Sequence, residues 1–244
     1  MSRVALVTGG TGGIGTAICR RLADTGCRVA TTYRNREKAE QWQQSAKTDN
    51  YEFAIYGCDV GEFDDCAELA KQLETDLGPV DVIVNNAGIT RDTMLKKMGV
   101  EKWRQVINAD LDSVFNVTRQ FVEAMMERGF GRVVNISSIN GQKGQFGQTN
   151  YSAAKAGMHG FTMALAQEVA RKGVTVNTIS PGYIATEMVM AVPEEVRNKI
   201  IAQIPVGRLG KPEEIASIVG YLVSDEAAFI TGANIAMNGG QHMG

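Results

Sequence analysis

Residues 150–161, NYSAAKAGMHGF, begin a helical pattern with two side chains that could do acid–base chemistry. Tyr151 and Lys155 are four residues apart, so on a helix they share a face, which continues through Met158 and Leu165. A buried unpaired lysine is costly. Either Lys155 reaches solvent from the first turn while Tyr151 merely packs, or both groups face a cleft. In the second case the ammonium favours the phenolate of a group that ordinarily ionises at a pH of about 10.

A glycine-rich segment, TGGTGGIG, follows the first apolar run of the chain. It fits two glycine templates, Gly10, Gly12 and Gly15 for one and Gly9, Gly13 and Gly15 for the other. In both, missing side chains let backbone N–H groups at a helix start approach a pyrophosphate. A strand pattern before the segment and a helical one after it favour dinucleotide binding over a plain glycine-rich turn.

The second apolar run ends in Tyr33 and Arg34, with no acidic residue at that point. An acidic residue there would receive the ribose 2′-hydroxyl of NAD. An arginine can instead bind a 2′-phosphate with two hydrogen bonds. The sequence therefore favours NADPH, with a solvated arginine at a helix start as the alternative.

Strand and helix patterns alternate along the chain. Apolar runs indicate strands at 4–8, 28–33, 52–58, 80–85, 132–137, 175–180 and 234–237, and helical periodicity covers 14–25, 36–47, 62–77, 100–127, 150–172 and 212–224. This alternation predicts an α/β fold, a single-domain Rossmann-type doubly wound parallel sheet of about seven strands with helices on both faces. Residues 1–244 form that one domain. Residues 183–210 replace the expected strand with a loop and a short amphipathic helix, which predicts a substrate lid rather than an ordinary excursion.

Composition argues against several classes of partner. The formal net charge of −2 gives no electrostatic reason to expect nucleic acid. No apolar run approaches the roughly 18 residues needed to cross a membrane, and strand-like sequence begins at residue 4, so we expect a cytoplasmic protein. Four cysteines without a CxxC pair and two histidines predict free thiols and no metal site.

Five motifs in order resemble the short-chain dehydrogenase/reductase family over nearly the whole chain: TGGTGGIG, NNAG at 85–88, NISS at 135–138, YSAAK at 151–155 and SPGYIAT at 180–186. The resemblance implies a catalytic set of Ser138, Tyr151 and Lys155, with Asn108 as a fourth member. Tyr151 would protonate a carbonyl oxygen as hydride arrives, and Ser138 would hydrogen-bond that oxygen. Lys155 would also bind the nicotinamide ribose, and Asn108 would hold a water linking Lys155 to solvent. As alternatives, Ser138 could be a turn hydroxyl and Asn108 a satisfied core amide.

The same resemblance implies the contacts of the cofactor, NADPH or NADP+. They are Gly9, Gly12, Gly13, Ile14, Gly15, Tyr33, Arg34, Asp59, Val60, Asn86, Ala87, Gly88, Tyr151, Lys155, Pro181, Gly182, Ile184 and Thr186. Asp59 and Val60 would meet the adenine, while Ile184 and Thr186 would hold the carboxamide. Asp59 could otherwise cap the helix that begins near residue 62.

The stretches NGQKGQFGQTNYS and NGGQHMG resemble one branch of the family, bacterial enzymes that reduce acetoacetyl-CoA to (R)-3-hydroxybutyryl-CoA for polyhydroxyalkanoate synthesis. The branch implies an acyl-CoA thioester as substrate and a homotetramer. The implied substrate residues are Asp92, Ser138, Gln145, Phe146, Gln148, Tyr151 and Tyr183. Two alternatives stay open: a reductase of 3-oxoacyl thioesters on acyl-carrier protein, and a non-catalytic regulator that senses NADP(H).

Overall fold

Seven parallel strands form one sheet, as the alternation of patterns predicts. The computed structural model describes residues 2–243. The strands are β1 Val4–Val7, β2 Arg28–Tyr33, β3 Phe53–Gly57, β4 Val80–Asn85, β5 Gly131–Ile136, β6 Val174–Pro181 and β7 Asn234–Met237, in the order β3-β2-β1-β4-β5-β6-β7. The order reverses direction between β1 and β4. Such a switch point opens a ligand crevice at the carboxyl ends of the strands.

Helices cover both faces of the sheet. They are α1 Gly13–Asp24, α2 Arg36–Thr48, α3 Phe63–Leu77, α4 Val100–Ile107, α5 Ser113–Arg128, α6 Ile139–Lys143, α7 Thr149–Val169, α8 Glu187–Met190, α9 Glu194–Ile201 and α10 Pro212–Leu222. Helices α1, α2 and α10 pack on one face and α3, α5 and α7 on the other. The expected doubly wound α/β fold is confirmed.

Strand β1 shows why the two faces hold separate cores. Ala5 and Val7 belong to the cluster under α1 and α10, while Val4 and Leu6 belong to the cluster under α3 and α5. Successive side chains of a strand point to opposite faces. All four are buried, so apolar residues occupy every position of this central strand rather than alternate ones.

A chain of buried polar side chains crosses the sheet beneath the carboxyl ends of its strands. Asn85 Nδ2 donates to Thr118 Oγ1 at 3.1 Å and to Asn135 Oδ1 at 2.8 Å. Asn135 Nδ2 donates in turn to Thr162 Oγ1 at 2.8 Å, and that hydroxyl lies 2.7 Å from Thr178 Oγ1. This asparagine–threonine chain joins β4, β5 and β6 to α5 and α7, the elements that carry the functional motifs.

The expected helix at 100–127 consists of three parts. Between α4 and α5 lies a π-helical turn, Asn108–Asp112. A π turn holds an extra residue and rotates the side chains that follow it relative to an α-helical count. The sequence pattern did not reveal this π turn.

The proposed lid, residues 183–210, contains two short helices, α8 and α9, rather than one. Its two ends meet in a parallel bridge between Ile184 and Gly210. Arg208 then donates to both carboxylate oxygens of Glu214, at 2.8 and 2.7 Å, which ties the end of the segment to α10.

Further expectations concern membranes, thiols and metals. Within residues 2–243, no helix is long and apolar enough to cross a membrane. All four cysteines are free thiols; Cys19, Cys58 and Cys66 are buried and Cys27 is partly buried. Burial raises the pKa of the Cys19 thiol. Over the same range, no three His, Cys, Asp or Glu side chains cluster closely enough to hold a metal ion.

Candidate active site

A pocket of about 200 Å³ lies at the carboxyl ends of β4, β5 and β6, and the predicted trio lines it. Ser138 follows β5, while Tyr151 and Lys155 occupy the first two turns of α7. Met188 reaches the same pocket from the lid and is 74% exposed. The structure therefore brings together three side chains that are far apart in the sequence.

Ser138 has a structural role and also remains able to donate. It is the N-cap of α6, and its Oγ accepts a hydrogen bond from Asn140 N at 3.1 Å. The interpretation of Ser138 as a turn hydroxyl therefore describes its acceptor role. Because Oγ serves there as an acceptor, its own hydrogen is still available to an oxygen in the pocket.

The start of α7 is fixed by Asn150. Its Oδ1 accepts from Tyr151 N at 2.8 Å, and its Nδ2 donates to the carbonyl oxygens of Arg91 and Lys102 at 3.3 and 3.2 Å. Asn150 is fully buried. The loop after β4, helix α4 and the phenol-bearing turn are thus held together by one amide.

Lys155 lies inside the protein, so the alternative in which its ammonium reaches solvent does not hold. Its side chain is 4% exposed, and Nζ donates to Ile136 O at 3.0 Å. Nζ also lies 5.5 Å from the centre of the Tyr151 ring. A cation at that distance from an aromatic ring interacts with it electrostatically, so the phenol and the ammonium form one electrostatic unit.

The ammonium has a buried counter-ion, Asp110, in the π turn. Asp110 Oδ2 lies 3.3 Å from Lys155 Nζ, and its side chain is 0% exposed. Asp110 Oδ1 accepts from Ile89 N at 2.8 Å. Burial raises the pKa of the Asp110 carboxyl, and the Lys155 charge together with the Ile89 N–H opposes that rise.

Asn108, predicted as the fourth member of the set, is not among the residues that line the pocket of Ser138, Tyr151 and Lys155. Its Nδ2 donates to Gly61 O at 2.9 Å, on the loop after β3. The satisfied-amide interpretation describes this residue. The family resemblance that implied Asn108 carries no information on the π turn, in which Asp110, two residues later, is the side chain beside Lys155.

A second pocket, of about 180 Å³, lies beside β1, β2 and β3. Seven residues predicted to contact the cofactor line it: Gly9, Tyr33, Arg34, Asp59, Val60, Ala87 and Gly88. Asp59 does not cap the next helix, whose N-cap residue is Glu62; its Oδ1 accepts from Gly61 N at 3.0 Å. The structure thus brings together, at one edge of the sheet, residues from the ends of β1, β2, β3 and β4.

The glycine loop is built by close contact of its own backbone segments. A Cβ on Gly15 would lie 2.4 Å from Gly9 O and 2.7 Å from Gly10 Cα, so the backbone strands there are in direct contact. Asn86 Nδ2 donates to Thr8 O and Gly9 O, each at 3.0 Å, which fixes the loop against β4. Helix α1 begins in this loop, and its first turn contains no acidic side chain that would disfavour an anion.

The segment after β6 divides between two places. Pro181 and Gly182 of this segment line the pocket of Tyr151, together with Ile14 and Asn86, which were also predicted for the cofactor. Thr186 packs beside Gly13, where an added Cβ would meet Thr186 Cγ2 at 3.0 Å.

Two residues of the same segment point elsewhere. The Ile184 side chain is buried in the core, so only its backbone could serve a carboxamide. Tyr183, predicted for the substrate, lines a different pocket of about 260 Å³ beneath the lid.

Two loops predicted to face the substrate do face each other. Gln148 Nε2 donates to Asp92 Oδ2 at 2.8 Å, and Gln148 Oε1 accepts from Asn140 Nδ2 at 2.9 Å. Gln145 and Phe146 are exposed at the rim, Phe146 by 82%. These four residues lie outside the lining of the Tyr151 pocket.

Comparison with known proteins identifies the family. A family model described as Enoyl-(Acyl carrier protein) reductase matches residues 9–242. An acetoacetyl-CoA reductase from Allochromatium vinosum is 56% identical over the full length of both chains, and one from Cupriavidus necator is 57% identical over 99% of each. A 3-oxoacyl-[acyl-carrier-protein] reductase from Pseudomonas aeruginosa is 43% identical over 99% of this chain and 98% of its own. The chain belongs to the short-chain dehydrogenase/reductase family.

Membership of the short-chain dehydrogenase/reductase family makes the chain an oxidoreductase, as the motifs predicted. Six residues that line the pocket of Tyr151 were not among the predicted site residues: Ile89, Thr90, Asp110, Ile136, Ser137 and Met188. Met188 lies in the lid segment and Thr90 in a polar loop, and neither residue type points to a site. Asp110 did carry one, because a carboxylate within the apolar face of residues 107–114 needs a partner.

Proposed function

We propose that the chain reduces acetoacetyl-CoA to (R)-3-hydroxybutyryl-CoA with NADPH. The observation that carries this proposal is the Tyr151 phenol, 5.5 Å from a buried ammonium and beside Ser138 in one pocket. The relatives named acetoacetyl-CoA reductase support the choice of thioester, since several are 56–58% identical over 99% or more of this chain.

Each side chain has a distinct task in the proposed reaction. Tyr151 donates its phenolic proton to the carbonyl oxygen of the substrate, and the Lys155 charge stabilises the phenolate that remains. The Ser138 O–H donates to the same oxygen and fixes its position. NADPH in the crevice would supply the hydride for the carbonyl carbon.

The decisive experiment measures NADPH-dependent turnover of acetoacetyl-CoA, with chiral analysis of the product. Tyr151→Phe removes only the hydroxyl, and loss of a general acid lowers rates by about 10²–10⁴-fold. We expect that loss while folding, followed by circular dichroism, and NADPH binding stay normal. Normal turnover in a folded Tyr151→Phe protein would contradict the assignment.

The preference for NADPH rests on Arg34. It is exposed at the adenosine pocket beside Tyr33, whereas Arg36 lies 2.7 Å from Glu40 and is paired with it. A charge-assisted contact to a 2′-phosphate is worth about 1.5–3 kcal/mol. Arg34→Ala should therefore lower kcat/KM for NADPH by about 10–100-fold and leave that for NADH nearly unchanged. Arg36→Ala is the matched control, and equal effects of the two changes would exclude the assignment.

The main alternative substrate is the same acyl group on acyl-carrier protein, as in the 43% identical relative from Pseudomonas aeruginosa. A side-by-side assay of both thioesters decides between them, and a strong preference for the carrier protein would reverse the proposal. A non-catalytic NADP(H) sensor would bind NADPH tightly and oxidise none of it across a panel of ketones.

We also propose a homotetramer that acts in the cytoplasm in polyhydroxybutyrate biosynthesis. Helices α5 and α7 expose a groove with apolar walls that include Phe161 and Leu165. Phe115 on α5 is 50% exposed and Met163 on α7 is 53% exposed. Large exposed apolar patches mark interaction sites, and a second copy of the chain would cover this one. Light scattering that shows a stable monomer would refute this assembly.

A further inference from the structure

Asp110 lines the same pocket as Tyr151 and Lys155, and its carboxylate is buried there. Its Oδ2 lies 3.3 Å from Lys155 Nζ, yet within residues 2–243 it accepts no hydrogen bond. A Cβ on Gly88 would come within 2.7 Å of Oδ2 and 3.2 Å of Nζ, so only a glycine leaves room for both groups there. The pair is therefore tightly enclosed, and a buried charge persists only where its partner is held close.

We propose that Asp110 is a positioning residue that partly neutralises Lys155 and so keeps the Tyr151 phenol protonated to a higher pH than an amide at the same place would. The proposal rests on the proposed function, in which Tyr151 is the acid. A cation near a phenol favours the phenolate, and an anion beside that cation opposes the effect. The two carboxylate oxygens also hold the ammonium and the Ile89 N–H in one geometry.

The groups that face Asp110 come from three packed elements. Helix α7 presents Lys155 and, one turn earlier, Tyr151. The loop after β4 presents the Ile89 N–H, and β5 presents the Ile136 carbonyl that shares the Lys155 ammonium. The raised pKa of the Asp110 carboxyl, opposed by the Lys155 charge, agrees with this coupling. Removing the carboxylate charge therefore leaves the ammonium acting on the phenol without opposition.

The test is Asp110→Asn, which keeps the shape and removes the charge. In the reduction direction, the rate falls with rising pH as the phenol ionises. We expect the midpoint of that fall to move toward acid by about one pH unit, the scale of a single nearby charge. In the oxidation direction the rising limb should move the same way. Asp112→Asn, an exposed aspartate of the same π turn, is the matched control and should leave both midpoints in place.

A second readout does not depend on the substrate. Phenolate absorbance in the near ultraviolet, taken as the difference between wild type and Tyr151→Phe, reports the ionisation of Tyr151 alone. The same difference for Asp110→Asn and the Asp110→Asn/Tyr151→Phe double variant should show its midpoint shifted toward acid. Failure of wild type to reduce acetoacetyl-CoA would defeat the proposed function, while this titration still decides the role of Asp110.

A purely structural role for Asp110 has a different signature. The rate would fall equally at every pH, and neither midpoint would move; that result overturns the proposal. Should Asp110→Asn give unfolded protein, Asp110→Ser removes the same charge with less volume and is judged by the same two midpoints.

Discussion

Replacing Gly15 by alanine tests whether the glycine loop is built by backbone contact. The new Cβ would lie 2.4 Å from Gly9 O and 2.7 Å from Gly10 Cα. Nonbonded carbon atoms rest about 3.5–4.0 Å apart, so the loop must move by roughly 1 Å. Added volume in a packed site costs about 1–3 kcal/mol. The same movement displaces the N–H groups that would meet the pyrophosphate.

We therefore expect two measurable losses in Gly15→Ala. The free energy of unfolding should fall by about 1–3 kcal/mol, measured by urea denaturation. The Kd for NADPH, measured by titration of its fluorescence, should rise at least tenfold, which corresponds to about 1.4 kcal/mol. Gly12→Ala in the same loop is the control for stability, because its Cβ would meet nothing closer than Gly9 O at 3.6 Å.

The control should keep its free energy of unfolding within about 0.5 kcal/mol of wild type. Equal destabilisation by the two substitutions would mean that loop entropy, rather than contact with Gly9 and Gly10, decides the outcome. A Gly15→Ala protein with wild-type stability and wild-type affinity for NADPH would refute the argument altogether.

Three further predictions concern stability. Burial lowers the pKa of His159, so the folded protein favours the neutral ring, and the free energy of unfolding falls as the pH drops below the ordinary value of 6.5. Urea denaturation above and below that pH should show a smaller fall in His159→Asn. Arg208 lowers the pKa of Glu214 to about 2, so the ion pair that ties the lid to α10 is fully formed above pH 4.5 and is lost as the pH falls toward about 2. Glu214→Gln should therefore make proteolysis of residues 183–210 faster at neutral pH. Asn135→Leu leaves buried partners unpaired and should cost about 2–4 kcal/mol of unfolding free energy, by calorimetry.

The fold was predictable because its signals are local and repeated. Apolar runs that alternate with segments of helical periodicity predict a parallel sheet, and the glycine loop after β1 indicates where the sheet order reverses. The proximity of Ser138, Tyr151 and Lys155 was predictable because their motifs are ordered and well spaced. Their position around one pocket follows from the parallel sheet, because the carboxyl ends of parallel strands lie at the same edge.

The rest of the site depends on geometry that no period reports. The resemblance implied Asn108 as the fourth member of the set, whereas in the π turn at residues 108–112 the side chain beside Lys155 is that of Asp110. Tyr183 follows β6 as expected, but the bridge between Ile184 and Gly210 turns it toward the lid pocket. Both placements depend on local backbone irregularities that are fixed by tertiary packing.

The asparagine–threonine chain beneath the pocket has a consequence for how the molecule opens. Since each of its amides and hydroxyls is shared with a neighbour, separating any one strand exposes orphaned polar atoms on the next. Strands β4, β5 and β6 should consequently come apart as a single foldon. Their backbone amides would then report one common free energy of opening in native-state hydrogen exchange, because the three strands beneath the site open together.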